Sequence, residues 1–297
     1  MRGTSPNPSS PKVFVKTYGC QMNVHDSERM IGLLMNEGFT PADSPQKAQV
    51  ILINTCAVRE KPERKLMAEL GRLKKLKEQA PDLIIGVTGC MAPRDGELIR
   101  QKAPFVDLLL GPRSLHRLPE LVRIAQRLRQ PVEAIDLSDD PTPLTPIRRT
   151  STISAWVDVI FGCSFACTFC AVPSARGPER SRLPEDILAE VAELKSLGYR
   201  EITLLGQTVN AYGRDWRYRI PSHSRLFERL KDTRQRVDFT WLLREIDRVV
   251  NGAMRVRFTS PHPTLFSAQL IEAIADLPSL CEHIHLPLQS ADDGILK

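Results

Sequence analysis

Three short apolar runs, at residues 13–18, 50–54 and 83–88, are each followed two residues later by a cysteine: Cys20, Cys56 and Cys90. Runs of this length, rich in β-branched and aromatic residues, read as strands. Helical periodicity separates them. Met30, Leu33 and Leu34 share one face, with Asp26 or Ser27 as the expected cap and Gly38 as the stop, and a basic amphipathic stretch covers residues 62–77. A fourth run at 105–110 ends at Gly111, and a helix is expected near 118–129. Strand–helix alternation of this kind specifies a parallel sheet with right-handed crossovers. The steps from 20 to 56 to 90 fit one βαβ unit each. In such a sheet all carboxyl ends share one edge, where ligands bind. Singly, each cysteine reads as an ordinary buried apolar residue. Their shared position makes Cys20, Cys56 and Cys90 candidate ligands of one metal cluster, with Gly19 and Gly89 permitting tight turns beside it.

The second half opens on a strand, residues 154–160, that runs into Phe161-Gly162-Cys163-Ser164-Phe165-Ala166-Cys167-Thr168-Phe169-Cys170. Full protein ligation of a [4Fe–4S] cluster takes four cysteines. The C-x-x-x-C-x-x-C set of Cys163, Cys167 and Cys170 offers three, leaving one iron open to bind a small molecule. A structural zinc site is the rival reading, but zinc favours four closed ligands and no fourth Cys or His follows closely. An open iron points to catalysis rather than electron carriage.

Further βα units follow. Helices are expected at 184–197, 241–249 and 267–275, and strands at 201–205, 254–258 and 283–288. A parallel barrel places its site at the carboxyl ends of its strands. Gly206, Gln207 and Ser260, at such ends, are candidate cofactor contacts, although ordinary turn and cap residues look the same. Residues 212–236 interleave Trp216 and Tyr218 with Arg214, Arg217 and Arg219. That mixture could touch RNA, with a solvated loop as the plainer reading. Cys281 reads as core. The expected organisation is a disordered tail at 1–11, a first domain at 12–132, a linker at 133–150 whose residues 136–150 are rich in Pro, Ser and Thr, and a second domain at 151–297.

Lys and Arg outnumber Asp and Glu by 41 to 35, a surplus of six that agrees with a polyanionic partner without requiring one. The start of the chain has no apolar core of a signal peptide, and the apolar runs are too short to cross a membrane. A cytoplasmic protein is expected, in which seven cysteines serve as metal ligands or core rather than as disulfides.

The loop from Cys163 to Cys170 resembles that of the radical S-adenosylmethionine superfamily, and the chain from about Lys12 onward is similar to its methylthiotransferase branch, MiaB type. The stretch Thr17-Tyr18-Gly19-Cys20-Gln21-Met22-Asn23-Val24-His25-Asp26-Ser27-Glu28-Arg29 carries the resemblance most specifically. Asn54-Thr55-Cys56-Ala57-Val58-Arg59, Thr88-Gly89-Cys90-Met91-Ala92, Arg176-Gly177-Pro178-Glu179-Arg180-Ser181-Arg182, Leu204-Leu205-Gly206-Gln207-Thr208-Val209-Asn210 and Phe258-Thr259-Ser260-Pro261-His262-Pro263 also fit. The resemblance implies a Rossmann- or flavodoxin-like first domain and a (βα) barrel of the radical type. It implies two [4Fe–4S] clusters and S-adenosyl-L-methionine as cofactors, with one cluster on Cys20, Cys56 and Cys90 carrying sulfur. The other, on the catalytic set Cys163, Cys167 and Cys170, would bind S-adenosylmethionine and generate a deoxyadenosyl radical. The substrate implied is the isopentenyl-adenosine beside the anticodon of tRNA, methylthiolated at C2. The expected partners are tRNA and an electron donor such as flavodoxin, with no membrane, and the expected state is a monomer.

The chain departs from the family pattern in places. Gln207-Thr208-Val209-Asn210 stands for a usual Gln-Asn-Val-Asn, and Gln289-Ser290-Ala291-Asp292-Asp293 for a usual Gln-Ser-Gly-Ser-Asp. Residues 212–236 are longer than the usual connection. The family's radical domain has about six βα units followed by an RNA-binding barrel, whereas four strands are read here before Lys297. The expectation is an incomplete barrel lacking the RNA-binding part. The alternatives are a related methylthiotransferase acting on threonylcarbamoyl-adenosine or on a ribosomal-protein aspartate, or an inactive truncated protein that binds clusters or RNA.

Overall fold

The structure, a computed structural model, describes residues 10–57, 60–138, 146–217, 224, 236–287 and 289–296. Most of the expected tail, Val58 and Arg59 of the second cysteine motif, linker residues 139–145, Tyr218, Arg219 and Leu288 lie outside the described residues. The chain forms two compact units. The first runs to Thr150 and includes Ser164–Pro178, and the second comprises Ser151–Cys163 and the residues from Glu179 onward.

The first unit alternates β1 (Lys12–Tyr18), α1 (Gln21–Asn36), β2 (Thr40–Pro41), β3 (Val50–Thr55), α2 (Glu60–Gln79), β4 (Ile84–Gly89), α3 (Met91–Lys102), β5 (Leu108–Leu110), α4 (Leu118–Leu128) and β6 (Val132–Ala134). Every strand pairing is parallel, in the order β2-β1-β3-β4-β5-β6. This is the flavodoxin-like winding, in which the order reverses between β1 and β3. Side chains alternate across a strand. Val50 and Leu52 therefore join Met30, Leu34 and Leu121 on one face of the sheet, while Ile51 and Ile53 join Leu66, Leu70 and Ile99 on the other. The apolar run of β3 is thus buried on both sides, as its composition predicts.

Helix α1 begins at Gln21, ahead of the expected cap at Asp26 or Ser27, and Cys20 takes the cap position. Asp26 and Ser27 are buried instead, drawn into polar contacts described below. The expected stop holds: Gly38 has φ +89°, and Phe39 N–H bonds Leu34 O. Helix α3 and strands β2 and β6 have no counterpart in the sequence reading. Pro11, expected in the tail, already accepts a hydrogen bond from Thr40 N–H.

A short helix within Ser164–Pro178, α5 (Val172–Arg176), belongs to the first unit, and its Ala175 packs in the α2/α3 core cluster.

The second unit holds β7 (Ser154–Asp158), β8 (Ile160–Phe161), β9 (Arg180–Ser181), α6 (Pro184–Ser196), β10 (Glu201–Leu205), α7 (Phe239–Val250), β11 (Arg255–Phe258), α8 (Ala268–Asp276) and α9 (Asp293–Leu296). Strands β7, β10 and β11 pair in parallel in sequence order, and the bridge Val256↔Leu280 adds one further step, which is the wall of a (βα) barrel. Ile187, Val191, Leu242, Leu243 and Ile246 cover its outside.

Three readings need correction. The strand expected at 283–288 does not form among the described residues, because pairing stops at Leu280 and His283 N–H turns back to Cys281 O at 2.7 Å. Cys281 is half-buried rather than core. Trp216, read as an aromatic of a solvated or RNA-touching loop, is buried in the core against Tyr212, ring to ring at 5.0 Å and nearly perpendicular, so it offers no stacking platform.

Leu52 is fully buried, whereas Met35 is 41% exposed. Leu52→Ala should cost about 2–5 kcal/mol, while Met35→Ala should stay within about 0.5 kcal/mol, both read by urea denaturation.

Candidate metal centre

The site of the first unit is set by strand register. Tyr18, Thr55 and Gly89 occupy one row across β1, β3 and β4. Cys20 lies two residues past that row, and Cys56 and Cys90 lie one residue past it. The three cysteines therefore emerge together at the carboxyl edge, at the point where the strand order reverses. Cys20 also heads α1 and Cys90 heads α3. Cys20 is exposed, and Cys56 and Cys90 are buried.

Beneath them sits a buried polar network. Asn23 Nδ2 donates to Asn54 Oδ1 (3.0 Å), while Asn54 Nδ2 donates to Asn23 O (2.6 Å) and Ser27 Oγ (2.9 Å). Thr17 and Ser27 hydroxyls meet at 2.8 Å, and Cys20 Sγ lies 3.4 Å from Asn23 Oδ1. The two glycines singled out in the sequence leave room for this network. A Cβ on Gly19 would stand 2.4 Å from Asn23 Oδ1 and 3.0 Å from Cys56 Cβ. One on Gly89, at φ +85°, would stand 2.3 Å from Asn54 Oδ1. Arg94 of α3 donates to Ala57 O, holding the backbone beside Cys56.

A buried cation of the described residues reaches this site. Arg176, nearly fully buried on α5, donates Nε–H to Cys90 Sγ at 3.1 Å and Nη2–H to Asp26 Oδ2 at 2.7 Å. Its own loop is held in turn. Arg113 Nε donates to Arg176 O at 2.9 Å and Arg113 Nη2 donates to Pro178 O. Burial opposes the Arg176 charge, but Asp26, Cys90 and Cys20 outweigh it and keep the guanidinium protonated. The Cys20 thiol is lowered to about 5, chiefly by its hydrogen bond with Cys56, against burial and with help from Arg176 and the Asn23 and Met22 backbone. A thiolate is the form that ligates metal. Among the described residues, no three His, Cys, Asp or Glu side chains converge on a single ion position. Three sulfurs that each serve a different iron of a cubane need no such convergence. The Cys20 thiolate and the emergence of the three cysteines from one row of adjacent strands fit a cluster.

The three-cysteine loop divides between the units, with Cys163 in the second and Cys167 and Cys170 in the first. In the first unit Cys170 N–H bonds Cys167 O at 3.0 Å, and Val172 N–H points at Cys170 Sγ at 3.5 Å. In the second unit Cys163 is buried with Sγ 3.3 Å from Thr208 Oγ1. Gln207 Oε1 accepts Gly162 N–H at 2.7 Å, so Gln207 acts on the backbone just ahead of Cys163. Gly206 packs against Ile160, where a Cβ would lie 2.5 Å from Cγ2. Ser260 is exposed at φ +55°, a backbone state uncommon outside glycine that clusters at ligand clamps. Asn210 and His262 latch the loops after β10 and β11 through reciprocal bonds of 2.9 and 2.7 Å.

Sequence reasoning assigned no role to Asn23, Asn54, Arg113 or Arg176, and read Asp26 only as a helix cap. Arg176 lay inside a quoted motif. Arg113 carries no local signal.

Residues 12–111 match the family described as "Uncharacterized protein family UPF0004", and residues 157–297 match the "Radical SAM superfamily". The chain is 46% identical over 289 residues to the tRNA-2-methylthio-N(6)-dimethylallyladenosine synthase of Ralstonia pickettii, covering 96% of this chain and 60% of that protein. It is 45% identical to the Bacillus licheniformis protein of the same name, covering 96% and 53%. The chain thus spans little more than half the length of the curated relatives it matches. Among solved structures, the radical S-adenosylmethionine methyltransferase TsrM from Kitasatospora setae superposes with TM-score 0.59 at 14% identity, over 97% of this chain and 61% of that one. At that identity the likeness shows the fold, a parallel-sheet unit followed by a radical-type (βα) unit.

Because Cys20 has a folded-state value near 5 against an ordinary 9.0, its thiolate contributes stability that is complete above 9.0 and is lost as pH falls through about 5. In metal-free protein, iodoacetamide should modify Cys20 readily at neutral pH, with the rate falling through about pH 5, as mapped by mass spectrometry of peptides. A midpoint near that of a free thiol would show that Cys56 and Arg176 do not stabilise the thiolate.

Proposed function

The chain belongs to the radical S-adenosylmethionine methylthiotransferase family, and on that premise we propose that it places a methylthio group on C2 of the isopentenylated adenosine beside the anticodon of tRNA. The observation that supports this most is the emergence of Cys20, Cys56 and Cys90 from one row of adjacent parallel strands, in a chain 46% identical to a synthase named for that product. The relatives' name favours this substrate over threonylcarbamoyl-adenosine or a protein aspartate.

The family's cofactors are [4Fe–4S] clusters and S-adenosyl-L-methionine, which together supply one-electron chemistry able to take a hydrogen atom from carbon. In this proposal Cys163, Cys167 and Cys170 hold the cluster that binds S-adenosylmethionine. Gln207 and Thr208 steady the backbone and sulfur at Cys163, and Ser260, beside the Asn210–His262 latch of the β10 and β11 loops, is a candidate cofactor contact. Cys20, Cys56 and Cys90 hold the second cluster, where sulfur is handled. Each protein group here positions or charges a ligand, and the radical chemistry belongs to the cofactor. The proposal includes the division into residues 12–132, 133–150 and 151–297. It also includes tRNA as partner, an electron donor of flavodoxin type, a monomeric state and a cytoplasmic setting. No helix of the described residues is long and apolar enough to cross a membrane.

Replacing Cys20, Cys56 or Cys90 by Ala should remove about half of the bound iron, since each cluster carries the same four irons. Release of 5′-deoxyadenosine under reductant should persist. Formation of 2-methylthio nucleosides in a strain lacking its own enzyme, read by mass spectrometry of tRNA digests, should stop. Unchanged iron in all three variants would sink the assignment of a cluster to Cys20, Cys56 and Cys90.

A further inference from the structure

We infer that Arg176 is a positioning residue for the cluster proposed on Cys20, Cys56 and Cys90: it orients Cys90 and holds a positive charge against the ligand sulfurs, making that cluster easier to reduce. The inference rests on the reading that these cysteines carry a cluster.

The geometry is that of a fork. Nε–H points at Cys90 Sγ at 3.1 Å and Nη2–H at Asp26 Oδ2 at 2.7 Å, so one planar group addresses a sulfur and a carboxylate together. Lysine, with a point charge on a flexible stem, reproduces the charge but not the fork. Both side chains of the Arg176–Asp26 pair are almost wholly buried, at 5% and 2% exposure. A buried charge persists where partners compensate it. Asp26 offsets the guanidinium charge, and the neighbouring sulfurs add negative charge on its other side. Charge matters here because reduction adds one electron, hence one negative charge, to a cluster. Hydrogen bonds to its sulfurs and its surrounding charge are the protein's levers on the potential.

The origin of the arginine is equally specific. It ends α5, which begins two residues after Cys170. Gly177 follows at φ +71°, where a Cβ would press within 3.1 Å of Arg113 Nε and Leu137 O. Arg113 clamps the carbonyls on either side of that glycine. The loop that bears Cys167 and Cys170 therefore also delivers the cation to Cys90.

The test uses the full chain with Cys163, Cys167 and Cys170 replaced by Ala, reconstituted anaerobically with iron and sulfide. Bound iron and visible absorption report whether the remaining cluster forms, and a redox titration followed by electron paramagnetic resonance reports its midpoint potential. Arg176→Met should bind iron as its parent does but with a lower potential. Arg176→Lys should recover part of that loss. Asp26→Asn, which leaves the guanidinium uncompensated, should move the potential upward. Potentials equal to the parent's, or shifts of one sign in Arg176→Met and Asp26→Asn, overturn the inference and leave the cluster reading standing. A parent that binds no iron overturns the cluster reading, and the inference with it. Should Arg176→Met fail to load, the opposite displacements expected of Arg176→Lys and Asp26→Asn carry the decision, and equal potentials in those two overturn it.

Discussion

Parallel register between β1, β3 and β4 is the constraint on which the first site depends. Tyr18, Thr55 and Gly89 share a row, and the cysteines follow it by one or two residues. A slip of one residue would turn each strand's side chains to the opposite face. That slip would exchange the partners of β3, Met30 and Leu34 on one face and Leu66 and Leu70 on the other, and would break the bonds that fix Asn54 to Asn23 and Ser27. The apolar packing, of which Cys90 is itself a member on one face, is thus what keeps the sulfurs together.

Polar groups at the strand ends do a different job. Asn23 and Asn54 are fully buried and exchange hydrogen bonds with each other, with Ser27 and with the Asn23 carbonyl. Satisfied networks of this kind rigidify their surroundings, whereas an unsatisfied member costs about 1–3 kcal/mol. The network needs Gly19 and Gly89, whose missing Cβ atoms give the amides their space. The two glycines therefore serve the asparagines first and any ligand second. The sequence reading placed them correctly as glycines of tight turns beside the ligand, which Gly89 at φ +85° is, but had no account of the asparagines.

Much of the fold was legible because its signals are local. The continuous apolar run of β3, the glycine stop after α1 and the cysteine after each strand can all be read within a few residues. The site's supports could not be read that way. Asp26 looked like a helix cap because a short acid before a periodic stretch normally is one. It is instead drawn inward by Arg176, 150 residues away, while Cys20 heads the helix. Trp216 looked like a surface aromatic among arginines, and its ring is buried against Tyr212. The strand expected at 283–288 had the right composition, but composition does not supply a partner, and the pairing to β11 consists of one bridge.

Arg176 joins these two scales. Its neighbours in sequence, Gly177 and Pro178, mark it as part of a motif and give no chemistry. Its neighbours in space, Cys90 and Asp26, are 86 and 150 residues away and supply the chemistry. Burial alone would push its charge away, so the side chain can remain there only where negative groups await it. The first unit provides them from the head of α3 and the first turns of α1, the same two helix starts that bear Cys90 and Cys20. A cation brought by the three-cysteine loop and anions fixed by the parallel sheet each make the other's burial affordable. That mutual requirement explains why Ser164–Pro178 packs with the first unit although it follows the linker in sequence.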